Sequence, residues 1–251
     1  MIHTEGLSYV EARLNYGRRG GRCLMPIHNA RPVADSLSLD VAGFVLKRCN
    51  TGVSDFYDHE AVRSVYYPEV EELVKEATGA TRAVAFEHDV RCALKARTGA
   101  SEVRQPVKVV HDDYTEKSSP ERVQLYLPQE ANRLLQSRYQ VVNVWRPIIG
   151  PVEESPLAIC DARSIREEDI EPTEEGVKHE VYLFNPSPHH RWFYFPRMAK
   201  DEVLLFKCFD SLNDGRARVT AHTSFDDPSS PHDARPRESI EVRTLAFFAS
   251  S

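Results

Sequence analysis

The hydrophobic and polar positions along the chain follow mainly the two-residue period of β-strands. Short runs rich in β-branched and aromatic residues alternate with turn residues, which is typical of half-buried strands. The pattern predicts strands over 82–91, 106–113, 140–148, 156–162, 179–186, 191–198, 201–211, 218–225 and 239–248. The stretch "NPSPHH" at 185–190 is predicted to be a hairpin loop between two of them.

Helical periodicity is confined to two segments. One follows Pro68 and ends at Gly79, and the other has Ser119 as a candidate N-cap with Pro120 at the first helical position. Pro128 is expected to break or restart the second helix.

Few helices among many short strands favour a mainly β fold with flanking helices, a jelly-roll or cupin-like barrel. The stretches 166–176 and 226–239 are rich in proline and acidic residues and are predicted loops. We expect a single domain over 1–251, with 1–100 as an N-terminal extension that packs on a core at 101–251.

Composition narrows the function classes. A formal net charge of −6 gives no general basic field for nucleic acid, and no apolar stretch is long enough to span a membrane. The five cysteines lie far apart and form no CxxC pair, so we expect reduced thiols in a cytoplasmic protein. The glycine-rich nucleotide motifs and the GxSxG hydrolase elbow are absent from the sequence.

The segment "VKVVHDDYTEKSS" places a His-x-Asp pair at the end of a predicted strand. One such pair is within chance, and the plain interpretation is a strand end where Asp113 starts a turn. In a strand, however, residues two apart share a side, so His111 and Asp113 can converge on one metal while Asp112 points away. Two histidines and one carboxylate suit Fe(II), with open positions for a cosubstrate and dioxygen.

His222 is the candidate third ligand. It lies in a later strand among small and hydroxyl residues, which leave room for a metal, although a hydrogen-bonded core histidine fits the same pattern. The alternatives are weaker: His189 and His190 are expected at a solvated loop tip, His88 in a strand with a local hydrogen bond, and His232 in the proline-rich loop.

An oxygenase that uses 2-oxoglutarate also needs a cation for the far carboxylate, and arginine offers two parallel hydrogen bonds. Arg237 is preferred because Ser239, two residues on, can bind the same carboxylate; Arg235 and Arg243 are the alternatives. A surface salt bridge of Arg237 with Glu238 or Glu241 fits equally well.

The segment "NVWRPIIG" supplies candidates for substrate binding. Asn143 and Arg146 are predicted to contact substrate, Arg146 through a substrate carboxylate, though it could instead pair with a nearby glutamate. Tyr114 and Thr115 follow the metal strand closely enough to contact bound groups or to start the next helix.

Six blocks in order, "VHDDYT", "NVWRPIIGPVEESPLAICDA", "FYFPRM", "DEVLLFKCFDS", "TAHTSFDDP" and "ARPRESIEVR", carry a family resemblance. From about Ser54 onward the chain resembles the fungal and bacterial hydroxylase/desaturase family of the aspergillic acid hydroxylase/desaturase, the gibberellin desaturase-like proteins and the cephamycin 7-alpha-methoxylation protein.

The resemblance implies a double-stranded β-helix and a non-haem Fe(II), 2-oxoglutarate-dependent oxygenase of secondary metabolism, with iron at His111, Asp113 and His222. It implies hydroxylation, desaturation or ring formation on a small metabolite, with decarboxylation of 2-oxoglutarate to succinate. The interval from His222 to Arg237 is fifteen residues, wider than is usual in this class, so Arg235 or Arg243 stays open as the anchor.

Two other functions remain compatible with the residues. One is an iron-dependent oxidase that draws all its electrons from the substrate, and the other is a cupin-like binding protein with structural histidines. The expected partner is a small molecule, one that could bear a carboxylate, with no nucleic acid and no membrane, and a homodimer is open. The identity of the substrate does not follow from the sequence.

Overall fold

Two facing β-sheets form the body of the protein in the computed structural model, which describes residue 2 and residues 4–99, 103–173 and 179–249. The strands are β1 Tyr9–Asn15, β2 Arg22–Asn29, β3 Phe44–Arg48, β4 Arg82–Cys92, β5 Val103–Arg104, β6 His111–Asp112, β7 Tyr139–Pro147, β8 Leu157–Cys160, β9 Ile170–Thr173, β10 Val181–Phe184, β11 Trp192–Tyr194, β12 Glu202–Asp210, β13 His222–Ser224 and β14 Glu238–Phe247.

The strand orders show why segments far apart in sequence meet. The eight-stranded sheet runs β1-β2-β11-β8-β13-β6-β10-β9, and the six-stranded sheet runs β3-β12-β7-β14-β4-β5. Side chains of both sheets interdigitate in a shared core that contains Trp145 and Phe206 from one sheet and Ile159 and Phe193 from the other. The expectation of a mainly β, jelly-roll fold is confirmed.

The helices are short, and the longest, at Tyr67–Thr78, packs on the six-stranded sheet. The α-helices are α1 Gly17–Gly20, α2 His59–Ala61, α3 Tyr67–Thr78, α4 Ala93–Arg97, α5 Ser118–Tyr126 and α6 Ala131–Leu134. A π-helical turn at Val62–Tyr66 joins α2 to α3, and short 3₁₀ turns lie at Arg31–Ser36, Ala162–Ser164 and Glu167–Asp169.

The two helices predicted from periodicity are α3 and α5. Val70, Leu73 and Val74 form the buried face of α3, at the spacing of one helix face, and they pack in a cluster with Val144 of β7. Gly79 ends α3 in the left-handed conformation, with φ 73°. α5 begins one residue before the predicted cap Ser119 and ends before Pro128.

The N-terminal strands were missed because each buries few side chains. In β1 and β2 only alternate side chains are buried, Ala12 and Leu14 against Met25 and Ile27, while the outward side chains mix charged residues with the exposed Tyr9 and Leu24. Cross-strand pairing from Tyr9 to Asn15, more than strand propensity, holds this hairpin. Strands from before residue 100 therefore pair within both sheets, and the single-domain expectation stays a prediction.

Two local predictions are wrong. β10 and β11 do not form a hairpin around 185–190, since β8, β13 and β6 lie between them in the sheet. The predicted loop at 166–176 contains a 3₁₀ turn and then β9, which pairs with β10; residues 174–176 lie outside the described part. The loop predicted at 226–239 is confirmed as far as residue 237, because β14 begins at Glu238.

No helix in the described part of the chain is long and apolar enough to cross a membrane.

Gly43 lies just before β3 and contacts Thr220, two residues before the candidate ligand His222. Its φ is 87°, and a Cβ there would collide with Thr220 Oγ1 and lie 3.2 Å from the Ala162 side chain. The carbonyl of Gly43 accepts hydrogen bonds from the Thr220 hydroxyl and the Lys207 amide. This position therefore requires glycine for both its conformation and its contacts.

We expect Gly43→Ala to lower the free energy of unfolding by about 2–4 kcal/mol, since left-handed strain and overpacking add. Urea denaturation measures the change. Gly79→Ala is the control, because Gly79 has a similar φ but no atom within 4 Å of an added Cβ, and it should cost about 1 kcal/mol. Equal losses in the two variants would contradict the close-packing argument.

Candidate metal centre

His111, Asp113 and His222 meet between the two sheets. β6 and β13 are antiparallel neighbours, and His111 lies directly opposite His222 in their register. The two ring centroids are 4.3 Å apart, and His111 Nε2 is 3.4 Å from Asp113 Oδ1. One ligand atom from each of the three residues lies within 4.8 Å of the other two.

Both imidazole rings are oriented by the backbone in the same way. His111 Nδ1 lies 2.7 Å from the carbonyl oxygen of Val109, and His222 Nδ1 lies 3.0 Å from that of Thr220. A carbonyl oxygen only accepts, so each Nδ1 must carry the proton and each Nε2 keeps its lone pair. This is the outer hydrogen bond that metal-binding histidines usually make.

The carboxylate of Asp113 is held by the six-stranded sheet. Asn143 Nδ2 on β7 donates to Asp113 Oδ2 at 2.8 Å, and Arg243 Nε on β14 donates to the same oxygen at 3.1 Å. Oδ1 faces His111 instead. The carboxylate thus joins one sheet through Oδ2 and presents Oδ1 to the histidines of the other sheet.

The protonation states suit a cation. Burial alone would raise the pKa of Asp113, but the guanidinium of Arg243 and the adjacent His111 hold it well below its usual range. Burial, and then the neighbouring His111, lower the pKa of His222 to about 3. At neutral pH Asp113 is therefore a carboxylate and His222 a neutral imidazole, the forms that ligate a metal.

The donor set fits a divalent first-row metal, since two imidazole nitrogens and one carboxylate oxygen converge from one side. Asp112 lies outside this cluster, as strand alternation predicts. Its carboxyl is fully buried, and burial together with the charge of Asp113 raises its pKa well above the usual value.

Arg237 and Ser239 lie on the inner face of the six-stranded sheet, beside the cluster. Arg237 is 4% exposed, packs over the Trp145 ring at 5.5 Å and donates through Nη1 to the Ser155 carbonyl and to Ser224 Oγ at 3.1 Å. Its Nε and the Ser239 hydroxyl are buried without hydrogen-bond partners. Such orphaned donors fit an anionic group that binds there.

The charge of Arg237 is not neutralised within the described part of the chain, where no carboxylate forms a salt bridge with it. Burial lowers its pKa to about 9, which still leaves the guanidinium charged at neutral pH. A buried cation without a paired anion is costly, so a bound carboxylate would stabilise this position. The surface salt bridge considered for Arg237 does not form.

A small cavity connects the metal ligands with Arg237. Its lining includes His111, His222, Trp145, Arg237 and Glu241, and it has room of about 20 Å³. That volume suits a single ion or water, so a dicarboxylate requires movement of side chains at the rim. Burial and the charge of Asp113 raise the pKa of Glu241 above its usual value.

Three of the predicted arginines lie at different places in the structure. Arg146 lies on the opposite face of β7 from Trp145, packs on Phe56 and Tyr66, and donates to backbone carbonyls, one of them that of Cys49 at 3.0 Å. Arg235 is exposed in the loop before β14. Arg243 is near the centre, but its guanidinium is already bound to carboxylates of the protein.

The remaining predicted contact residues lie among side chains of the protein. Asn143 binds Asp113 and does not face open space. Tyr114 is fully buried and stacks on His179, with ring centroids 5.1 Å apart. Thr115 Oγ1 accepts from the Ser118 amide and donates to Glu180, so it starts α5.

The other histidines in the described part of the chain do not join the cluster. His190, predicted to be solvated, is 3% exposed and contacts the Tyr16 hydroxyl at 3.0 Å and Asp169 at 3.2 Å. The fold buries it because the segment before β11 packs against Tyr16 and Trp192 instead of forming a loop tip. His88 lies in β4, as predicted, but its hydrogen-bond partners are the distant residues His59 and Tyr67. His232 is exposed.

Sequence reasoning missed the role of Arg243 and Asn143 as partners of Asp113. The sequence did indicate that both residues face inward, because Asn143 interrupts an apolar run and Arg243 continues the alternation of Ser239 and Glu241. What the sequence lacked was the register, in which Arg243 lies directly opposite Asn143 on adjacent strands.

Comparisons with known proteins agree with this geometry. A family model described as "Oxidoreductase/YMDC permease-like domain" matches residues 13–247. The chain is 34% identical to "Hydroxylase/desaturase CTB9" of Cercospora beticola, over 88% of this chain and 75% of the relative. It is also 34% identical to "Fe(II)/2-oxoglutarate-dependent dioxygenase nvfI" of Aspergillus novofumigatus, over 88% and 81%.

A solved structure has the same fold. The "iron and alpha-ketoglutarate-dependent endoperoxidase NvfI" superposes with a TM-score of 0.81 at 30% identity, covering 97% of this chain and 98% of that one. The resemblance noted from the sequence is confirmed, and it extends further toward the N-terminus than Ser54. The chain belongs to the family of fungal hydroxylase/desaturases and Fe(II)/2-oxoglutarate-dependent dioxygenases.

Proposed function

We propose that the protein is a non-haem Fe(II)- and 2-oxoglutarate-dependent oxygenase that acts on a C–H bond of a small secondary metabolite. The observation that carries this proposal is the convergence of His111, Asp113 and His222 with both Nε2 lone pairs free and one carboxylate oxygen presented. The names of the relatives support the same activity.

In this proposal His111 Nε2, His222 Nε2 and Asp113 Oδ1 hold the iron. Bound iron with 2-oxoglutarate and dioxygen supplies the oxidising power for the C–H bond, coupled to release of succinate. The backbone carbonyls of Val109 and Thr220 orient the two imidazoles so that each Nε2 faces the metal position. The apolar walls around Trp145 and Leu157 exclude water from the reacting groups.

Arg237 and Ser239 are proposed to anchor the far carboxylate of 2-oxoglutarate. Arg237 is a buried, charged fork next to the metal ligands, and the Ser239 hydroxyl lies on the same face with no partner. Arg243 is less suitable because its donors are bound to Asp113, Asp89 and Glu241. Arg235 lies outside on an exposed loop.

The lining of the cavity bears on the class of substrate. We infer a small-molecule substrate. Arg91 lines the cavity beside Arg237, whereas Arg146 does not, so a substrate carboxylate would meet Arg91, which also donates to Asp89. Homodimer formation and a cytoplasmic location complete the proposal; the free cysteines are compatible with that location.

Removing a metal ligand tests the iron site. We expect His222→Ala to weaken anaerobic Fe(II) or Mn(II) binding by at least about 100-fold, because two ligands remain of three. Calorimetric titration measures the affinity. His232→Ala is the matched control, since His232 is exposed in the loop, and it should bind like wild type. Absence of metal binding in the wild type would support the cupin-like binding protein instead.

The cosubstrate anchor is tested by Arg237→Lys. Lysine keeps the charge but loses the fork, so we expect the KM for 2-oxoglutarate to rise about 10–100-fold while metal affinity stays unchanged. Arg235→Lys is the control and should leave the KM as it is, because Arg235 is exposed. A larger effect from Arg235 than from Arg237 would move the anchor to Arg235.

Stoichiometry separates the two iron-dependent functions. We expect one succinate for each oxidised product, measured by quantitative mass spectrometry in turnovers with a small metabolite that the enzyme oxidises. Product formation without succinate would contradict the 2-oxoglutarate requirement and establish the oxidase. Omission of 2-oxoglutarate from the same reaction is the control.

A further inference from the structure

We propose that Arg243 and Asn143 form a clamp that keeps Asp113 a one-oxygen ligand, so that a coordination position stays open for dioxygen. This inference rests on the proposed iron site and deepens it. Arg243 is a positioning residue here, because it acts through Asp113 and not on the substrate.

The clamp takes one carboxylate oxygen out of reach of a metal. Asn143 Nδ2 and Arg243 Nε both donate to Asp113 Oδ2, at 2.8 and 3.1 Å. Two donors leave that oxygen little free lone-pair capacity, whereas Oδ1 faces His111 Nε2. The carboxylate is thereby prepared to coordinate through Oδ1 alone.

The register of the sheet builds the clamp. Arg243 lies directly opposite Asn143 on the antiparallel strands β14 and β7, so both donors approach the same oxygen from one sheet. The histidines approach from the other sheet, where His111 and His222 are paired. Asp113 is fixed between these two sets of contacts.

Arg243 cannot easily turn away from Asp113. Its Nη1 donates to Asp89 at 3.1 Å and its Nη2 to Glu241 at 3.2 Å, while its side chain is only 11% exposed. Asp89 is in turn held by Arg91 and Arg104, at 3.2 and 3.1 Å. The guanidinium is therefore fixed at three nitrogens by three carboxylates, which orients Nε toward Oδ2.

The number of coordination positions on the metal explains why Asp113 should bind through one oxygen. An octahedral metal with three protein ligands has three open positions. A 2-oxoglutarate chelate uses two of them, and dioxygen needs the third. A carboxylate that bound through both oxygens would occupy the position that dioxygen requires.

The test uses nitric oxide as a stand-in for dioxygen on the full-length protein. Anaerobic Fe(II) and 2-oxoglutarate are added, and the iron nitrosyl is quantified by electron paramagnetic resonance, which does not depend on turnover. For Arg243→Gln we expect Fe(II) affinity within about threefold of wild type but nitric oxide affinity reduced at least about tenfold. Asn143→Ala, which removes the other donor, should show a smaller loss of the same kind.

Glu87→Gln is the matched control. Glu87 Oε2 lies 3.8 Å from Arg243 Nη1, in the same cluster of charges, but no hydrogen bond or ion pair among the described residues joins it to Asp113. It should bind nitric oxide like wild type. Circular dichroism and thermal unfolding are measured for each variant, so that a folding defect is recognised.

The outcomes separate the clamp from the proposed function. Unchanged nitric oxide affinity in both Arg243→Gln and Asn143→Ala overturns the clamp and leaves the iron site standing. Loss of Fe(II) binding in folded Arg243→Gln also overturns it, since Arg243 would then only support the ligand. A wild type that binds no Fe(II) refutes the proposed function itself.

Discussion

The antiparallel pairing of β6 with β13 is the constraint on which the site depends. It places His111 opposite His222, from segments more than a hundred residues apart, and the next inward side chain of the same segment is Asp113. Each imidazole then uses a backbone carbonyl two residues upstream to fix its proton on Nδ1. A shift of one residue in this register would turn a histidine away from the centre.

The facing sheet contributes charge in place of metal ligands. On β14 and just before it, Arg237, Glu241 and Arg243 point toward the core, where buried charges are costly without partners. Arg243 is neutralised by carboxylates of the protein, and Arg237 is not. Arg243 is therefore a positioning cation that holds Asp113, whereas Arg237 is suited to bind an incoming carboxylate.

Burial explains how ionisable groups this close can coexist. Asp113 stays ionised because Arg243 and His111 outweigh the cost of burial, whereas Asp112 beside it has a raised pKa and no such cation. His222 stays neutral because it is buried and near a second histidine. Neighbouring residues thus have opposite protonation behaviour through their contacts alone.

Much of the site could be predicted from local sequence. Alternation selected Asp113 over Asp112, and His222 followed from a search for a partner strand, although the metal roles of these residues remain proposals. The helix at Tyr67–Thr78 and the strands from β7 onward, apart from β9, were also legible, because their apolar periodicity is strong. The N-terminal hairpin was not, because each of its strands buries only two side chains and the strands are held by pairing.

By itself the sequence determined which residue types alternate on each strand, and hence which side chains share a face, since that depends only on the backbone's two-residue period. The tertiary structure alone decided which faces meet. It turned Arg146 outward, directed Arg243 to Asp113 in place of a cosubstrate, and buried His190. Register and strand order arise from long-range packing, and no local pattern carries that information.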